Sequence, residues 1–235
     1  MDAIKAVTFD YFGTLVDVDA GGTAGMAEVL SRLGRDDLDA AALYQDWDMR
    51  TVQLYRSSAY RRYREVAAEA LAATLGGAGA GVGGGIDRLG ADRLAVLTDT
   101  LLTGLVEQAP PHPEVTEILA LLAAKYPLMP ITNMDSDLFA RSRLASFFPS
   151  VTTAEMARAY KPSERIFRLA LERLALAPGE VLHASLASWA DIDGAKPLGM
   201  RVAWINRTQD RLGPWQPRPD HEFADLTGLR EVLAF

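Results

Sequence analysis

"VTFDYFGTLVD", residues 7–17, is the stretch that decides the fold of this chain. Residues 4–9 are apolar at nearly every position apart from Lys5, the pattern of a strand covered on both faces. The run ends on a carboxylate, Asp10, followed by an aromatic at Phe12 and then Gly13-Thr14. A buried strand that runs straight into an acid needs a reason. Parallel sheets offer one, because their ligands sit beyond the carboxyl ends of the strands.

Outward from this stretch the periodicity changes twice. From Ala24 to Leu75 it is helical: Met26, Val29, Leu30 and Leu33 recur at three- and four-residue spacing, and Leu43 to Leu75 is dense in Arg, Tyr and Ala. Seven of the ten residues from Gly76 to Gly85 are glycine, so a mobile loop between helices is expected there. Helical pattern resumes at Arg93–Glu107 and stops at Pro110-Pro111-His112-Pro113. Beyond it the spacing predicts helices at Glu114–Lys125, Ser136–Ser146, Ser163–Leu174 and Ile192–Leu198. Between them it predicts strands at Leu128–Thr132, Ser150–Thr152, Val181–Ala184 and Arg201–Ile205. That alternation predicts an α/β fold, a parallel sheet with helices on both faces. The first strand matches this later group, so residues 1–16 and 108–235 form the core, and 17–107 is an inserted helical cap.

Composition narrows the function. With 235 residues, 49% of them hydrophobic and 23% charged, the chain has material for a sizeable core. A net charge of −7 argues against a nucleic-acid partner, which needs clustered Lys and Arg. The absence of cysteine removes disulfides, thiolate nucleophiles and Cys-ligated metals. Met1 to Lys5 leads into the first strand without the apolar span of a signal peptide, and no stretch reads as membrane-spanning. A cytoplasmic location is expected, with a small-molecule substrate as partner, no membrane partner, and a homodimer as an option.

Four polar groups fall at strand ends. Asp10 follows the first strand, Thr132-Asn133 the second, and the segment Ser185 to Asp191 follows Val181–Ala184, while Lys161 follows a fourth strand by a loop. Singly, each has a bland reading: a helix cap, a turn residue, a solvated lysine. Together at topologically equivalent places they make a shared site.

Asp10-x-x-Gly13-Thr14-Leu15, Thr132-Asn133, Lys161-Pro162 and Asp191 ahead of Gly194-Ala195-Lys196 resemble, in order, the four motifs of the haloacid dehalogenase (HAD) superfamily. The resemblance runs over the whole chain. It implies a Rossmann-like core with a helical cap, and Asp10 as a nucleophile forming a covalent aspartyl intermediate. A carboxylate is a weak nucleophile that must be held ionised and aimed, a role that suits Lys161. Thr14 and Thr132 can orient the carboxylate, and Asn133 can donate to substrate or intermediate.

Most members of the superfamily are phosphatases with a second acid two residues after the nucleophile, which protonates the leaving alkoxide. Here that position is Phe12. Such phosphatases also bind Mg²⁺ through an acid early in motif four, and aligning on Asp191 and Gly194 puts Leu186 there. Halide leaves as a stable anion and needs neither group. The chain resembles the 2-haloacid dehalogenase (type II) branch, which has an aromatic at the Phe12 position and uses no metal. "FDYFGTLVD" and "RVAWINR" carry the same resemblance.

The resemblance implies hydrolysis of an aspartyl ester by a water placed by Asp191 or Ser188, with Trp189 lining the pocket and Tyr11 and Phe12 at the substrate. Two departures stand out. Gln45 occupies the place of the cap arginine that cradles halide, leaving Arg50 and its neighbours as substitutes, and Ser188 replaces an asparagine. No cofactor is expected. The competing readings are an Mg²⁺-dependent phosphatase, with Asp191 or Asp193 as metal ligand, and a binding protein of the same fold without turnover.

Overall fold

The computed structural model describes residues 3–79 and 90–233. The glycine-rich stretch expected as a loop lies outside these from residue 80 onward. Its first two glycines, Gly76 and Gly77, form the last turn of a helix instead.

Six strands form one parallel sheet: β1 (Ala6–Phe9), β2 (Leu128–Thr132), β3 (Thr152–Thr153), β4 (Val181–Ser185), β5 (Arg201–Ile205) and β6 (His221–Phe223). Their order is β3-β2-β1-β4-β5-β6. Every residue of β1, β2 and β4 is buried. Successive side chains point to opposite faces, so both faces of the central sheet are covered. This is why these strands read as unbroken apolar runs. β6 departs from that rule: its residues, His-Glu-Phe, are partly exposed, and no apolar run marked it. β3 is displaced towards the C-terminus of the expected Ser150–Thr152.

The helices are α1 (Val18–Arg32), α2 (Ala40–Ser57), α3 (Tyr63–Gly77), α4 (Ala91–Thr103), α5 (Val115–Ala123), α6 (Ser136–Ala140), α7 (Ala154–Ala157), α8 (Glu164–Leu174) and α9 (Asp193–Ala195). The expected helix at 192–198 is a composite: a π-helical turn over Ser188–Ile192, then α9, then a 3-10 turn over Lys196–Leu198. The expected helix at 136–146 stops at Ala140, with a separate 3-10 turn over Ala145–Phe147. None of the described helices is long and apolar enough to cross a membrane.

The chain divides into two compact units. One holds the sheet and comprises Met1–Asp17, Pro111–Ser136 and Leu144–Phe235. The other is helical and comprises Val18–Pro110 with Asp137–Arg143. The last segment was expected with the sheet. Its charges explain the difference: Arg141 donates to Asp99 and Thr103, each at 3.0 Å, and to Glu107, while Asp137 accepts from Arg62 at 3.0 Å.

Within the helical unit, Asp39 caps α2 by accepting from the N–H groups of Ala41 and Ala42, and buried Trp47 donates to Ala67 O at 3.0 Å, tying α2 to α3. α1 meets the end of α4 through glycines. A Cβ on Gly104 would lie 2.5 Å from Gly25 Cα and 2.7 Å from Gly21 O. In an open helix Gly→Ala is favourable by up to about 1 kcal/mol. Here backbone blocks the methyl, and overpacking of this kind costs about 1–3 kcal/mol. Gly104→Ala is therefore expected to lower the urea midpoint of unfolding. A midpoint equal to or above that of the unmodified protein would contradict this packing.

Candidate active site

The strand order reverses at β1: β2 and β3 lie to one side, β4 to β6 to the other. The crevice beyond the carboxyl ends of β1 and β4 is where such sheets bind ligands. Asp10 is the first residue past β1, yet its N–H still donates to Ala184 O at 3.1 Å, which keeps it in strand register. The chain then turns. Gly13 sits at φ +74°, a region that a Cβ disfavours, and its N–H donates to Val16 O at 3.1 Å. The turn brings Thr14 back to the carboxylate, where Oγ1 donates to Asp10 Oδ2 at 2.9 Å and accepts from the Leu186 N–H at 2.8 Å. Two side chains hold the carbonyls of this turn. Arg207 Nη2 donates to Thr14 O at 2.9 Å and to Glu114, and His112 Nε2 lies 3.0 Å from Gly13 O.

Lys161 is almost wholly buried, and its Nζ donates to Asp10 Oδ1 at 2.7 Å and to Asp191 Oδ1 at 2.8 Å. The lysine comes from the loop beyond β3 and α7. Asn133 fixes that loop: its Oδ1 accepts from the Lys161 N–H at 2.7 Å and its Nδ2 reaches Lys161 O at 3.5 Å. Asp191 Oδ1 is also 2.7 Å from His183 Nε2, and His183 Nδ1 is 2.9 Å from Thr8 Oγ1.

The two acids respond differently to this setting. Burial pushes the Asp10 carboxyl up; the Lys161 charge opposes this, the Asp191 charge adds to it, and the balance is upward. Asp191 is buried too, but Lys161 and His183 outweigh that penalty and hold its carboxyl below the ordinary value. Burial disfavours the Lys161 cation, yet the two carboxylates raise its pKa. The setting therefore favours the anion at Asp191 and opposes it at Asp10.

The structure thus brings together Asp10, Thr14, Lys161 and Asp191. Thr132 is different: its Oγ1 is buried and takes no hydrogen bond from a described residue, so the expected contact with the carboxylate is not made. Asn133 has both ends of its amide on the Lys161 backbone, and the lysine rather than a ligand is what it orients. Tyr11 is fully buried and stands edge-on to half-buried Phe12, with ring centroids 5.8 Å apart. Ser188 and Trp189 open the π-helical turn that carries Asp191, both half-buried. Gln45 and Arg50 lie on α2 in the helical unit; Gln45 is exposed, and Arg50 Nε donates to Asp46 at 2.7 Å.

Sequence reasoning missed His183 and Thr8. The available signal was a polar residue in the middle of each of two otherwise apolar strands, "VTF" and "VLHAS", and these prove to be register partners.

Comparison with known proteins bears on the family and the fold. A family model described as a haloacid dehalogenase-like hydrolase matches residues 4–199. The (S)-2-haloacid dehalogenase H-109 of Pseudomonas putida is 27% identical over 248 residues, covering 99% of each chain. The (S)-2-haloacid dehalogenase of Xanthobacter autotrophicus is 30% identical over 213 residues, 87% of this chain and 76% of that one. In fold, the chain is similar to the L-2-haloacid dehalogenase structure from Xanthobacter autotrophicus, with a TM-score of 0.80 at 24% identity over 97% of this chain and 98% of that one.

Removing the shared cation tests the arrangement. Lys161→Met leaves two buried carboxylates facing each other, and breaking a buried pair in this way costs about 3–5 kcal/mol near neutral pH. The sign with pH follows from linkage. With Lys161 gone both acids lose the cation that favours their charged forms: the Asp10 carboxyl rises further and Asp191 loses a main cause of its lowering. The folded variant therefore binds more protons than the folded unmodified protein, and the destabilisation shrinks as pH falls. Urea unfolding of both proteins should show this narrowing between about pH 8 and about pH 5. A gap that stays constant or widens on acidification would contradict the shared cation.

Proposed function

The chain belongs to the haloacid dehalogenase-like hydrolases, and from that premise we propose that it hydrolyses the carbon–halogen bond of a short 2-haloacid through an ester on Asp10, without a metal. The observation that carries this reading is what stands at the two phosphatase positions: half-buried Phe12 beside Asp10, and Leu186 packed on the Gly13 turn. A lysine ammonium, Lys161 Nζ, bridges Asp10 and Asp191.

The donor set does not fit Mg²⁺, which demands near-octahedral oxygen ligands. Leu186 turns an apolar side chain to the nucleophile turn, so close that a Cβ on Gly13 would lie 2.8 Å from its Cδ2. Phe12 cannot protonate a leaving alkoxide. Both features suit a leaving group that departs as a stable anion.

In the first step an Asp10 oxygen attacks the substrate carbon that bears the halogen. A C–O bond forms as the carbon–halogen bond breaks, and the halide leaves with the bonding pair. Thr14 and Lys161 aim the carboxylate, each holding one of its oxygens. Ester formation removes the Asp10 charge, so Lys161 is then balanced by Asp191 alone. In the second step water attacks Cγ of the ester and passes a proton to Asp191. The tetrahedral intermediate then collapses, the departing hydroxy-acid oxygen takes that proton, and Asp10, left as a carboxylic acid, gives up its own proton to solvent to restore the carboxylate. Asp191 Oδ2 supports this role: it is buried and takes no hydrogen bond from a described residue. Phe12 is assigned to the apolar side of the substrate and Trp189 to the pocket wall.

Halide release from (S)-2-chloropropionate is expected to be the same with EDTA as with added Mg²⁺. Asp10→Asn should reduce it to the uncatalysed background, with the thermal midpoint showing that the fold is kept. The double variant Phe12→Asp with Leu186→Asp should gain Mg²⁺ binding by calorimetry. Efficient Mg²⁺-dependent phosphate release by the unmodified protein would overturn this reading in favour of a phosphatase.

A further inference from the structure

The sheet buries a histidine that none of the steps above requires. His183 lies at the centre of β4 with no exposed surface, its ring edge-on to Phe167 at 5.6 Å between centroids. Its register partner across the β1–β4 pair is Thr8, equally buried. The bonds form a continuous line: Thr8 Oγ1 to His183 Nδ1 at 2.9 Å, His183 Nε2 to Asp191 Oδ1 at 2.7 Å, and Asp191 Oδ1 to Lys161 Nζ at 2.8 Å. A carboxylate only accepts, so Nε2 carries a hydrogen, and the Thr8 hydroxyl donates to Nδ1 in the neutral ring. Asp191 thereby sets the tautomer, and Thr8 holds the ring at its other nitrogen.

The two oxygens of Asp191 are used unequally. Oδ1 receives both Lys161 and His183, whereas Oδ2 receives no hydrogen bond from a described residue although it is buried. A carboxylate held by two donors on one oxygen cannot rotate without breaking both bonds. Its other oxygen keeps its lone pairs and a fixed aim. Lys161 alone would be a poor pin, because its ammonium is shared with Asp10, whose charge disappears when the ester forms. His183 is attached to Asp191 and to the sheet, and its bonds do not change between the two half-reactions.

We propose that His183 is a positioning residue for the second half-reaction: it pins Asp191 through Oδ1 so that Oδ2 is aimed to accept the proton of the attacking water. The inference rests on the ester mechanism proposed above. Alkylation of Asp10 is left to Thr14 and Lys161, so loss of His183 slows hydrolysis of the ester and spares its formation.

Substitutions separate the two ends of the ring. In a glutamine the amide nitrogen reaches the place of Nε2, and in an asparagine only the place of Nδ1. His183→Gln keeps a donor to Asp191; His183→Asn and His183→Leu do not. With (S)-2-chloropropionate, the Asn and Leu variants should lose about 10-fold or more in kcat. Their KM should fall in parallel, leaving kcat/KM unchanged, because kcat/KM reports the step that precedes the accumulating ester. Intact-protein mass spectrometry of quenched steady-state samples should find most of each variant carrying the substrate-derived ester. His183→Gln should recover most of the lost kcat.

If the Asn and Leu variants turn over without accumulating ester, or lose kcat and kcat/KM together, His183 only supports the fold and the proposal fails. Equal behaviour of the Gln and Asn variants would also overturn it. Should the unmodified protein itself release no halide from any short 2-haloacid, the functional reading fails, and this inference with it.

Discussion

One buried ammonium organises the site. Two carboxylates, Asp10 and Asp191, lie in the sheet unit with almost no exposure, and each would be costly to ionise alone. Lys161 Nζ lies within 2.8 Å of both, and most of the surrounding polar contacts serve that bridge. Asn133 fixes the lysine's backbone. Thr14 takes the second oxygen of Asp10, and His183 adds a second donor to Asp191. The result is a dry Asp10 carboxyl with its direction set from both oxygens.

The sheet supplies the rigidity that such placement requires. Asp10 stays in strand register through its bond to Ala184 O, and the Gly13 turn returns Thr14 to its carboxylate within four residues. Parallel pairing of β1 with β4 sets Thr8 opposite His183, so the same ladder that builds the core also aligns the line of bonds behind Asp191.

How much of this was legible in the sequence depends on how each residue signals itself. β1, β2, β4 and β5 announced themselves because burial on both faces demands apolar residues throughout. β6 could not, since a three-residue, partly exposed edge strand needs no such pattern. Residues 192–198, just beyond Asp191, read as one helix, yet they run from the end of the π turn that carries Asp191 through a short α segment into a 3-10 turn. Asp10, Lys161 and Asp191 were readable as charged residues placed at or beyond strand ends. Thr132 and Asn133 were readable as members of the site but not in their roles, because a motif gives proximity and not which hydrogen bond wins. His183 stayed hidden because a lone histidine in an apolar strand reads as core, and only the register that pairs it with Thr8 shows what it touches.

The central claim is that Asp10 becomes covalently bonded to substrate, and isotope transfer tests it most directly. A single turnover with enzyme in excess, run in ¹⁸O water, should leave one heavy oxygen in the peptide that contains Asp10 and none in the hydroxy-acid product, because water attacks the ester at Cγ. Heavy oxygen found in the product of that first turnover, with Asp10 unlabelled, would mean that water attacks the substrate carbon itself and would contradict the account.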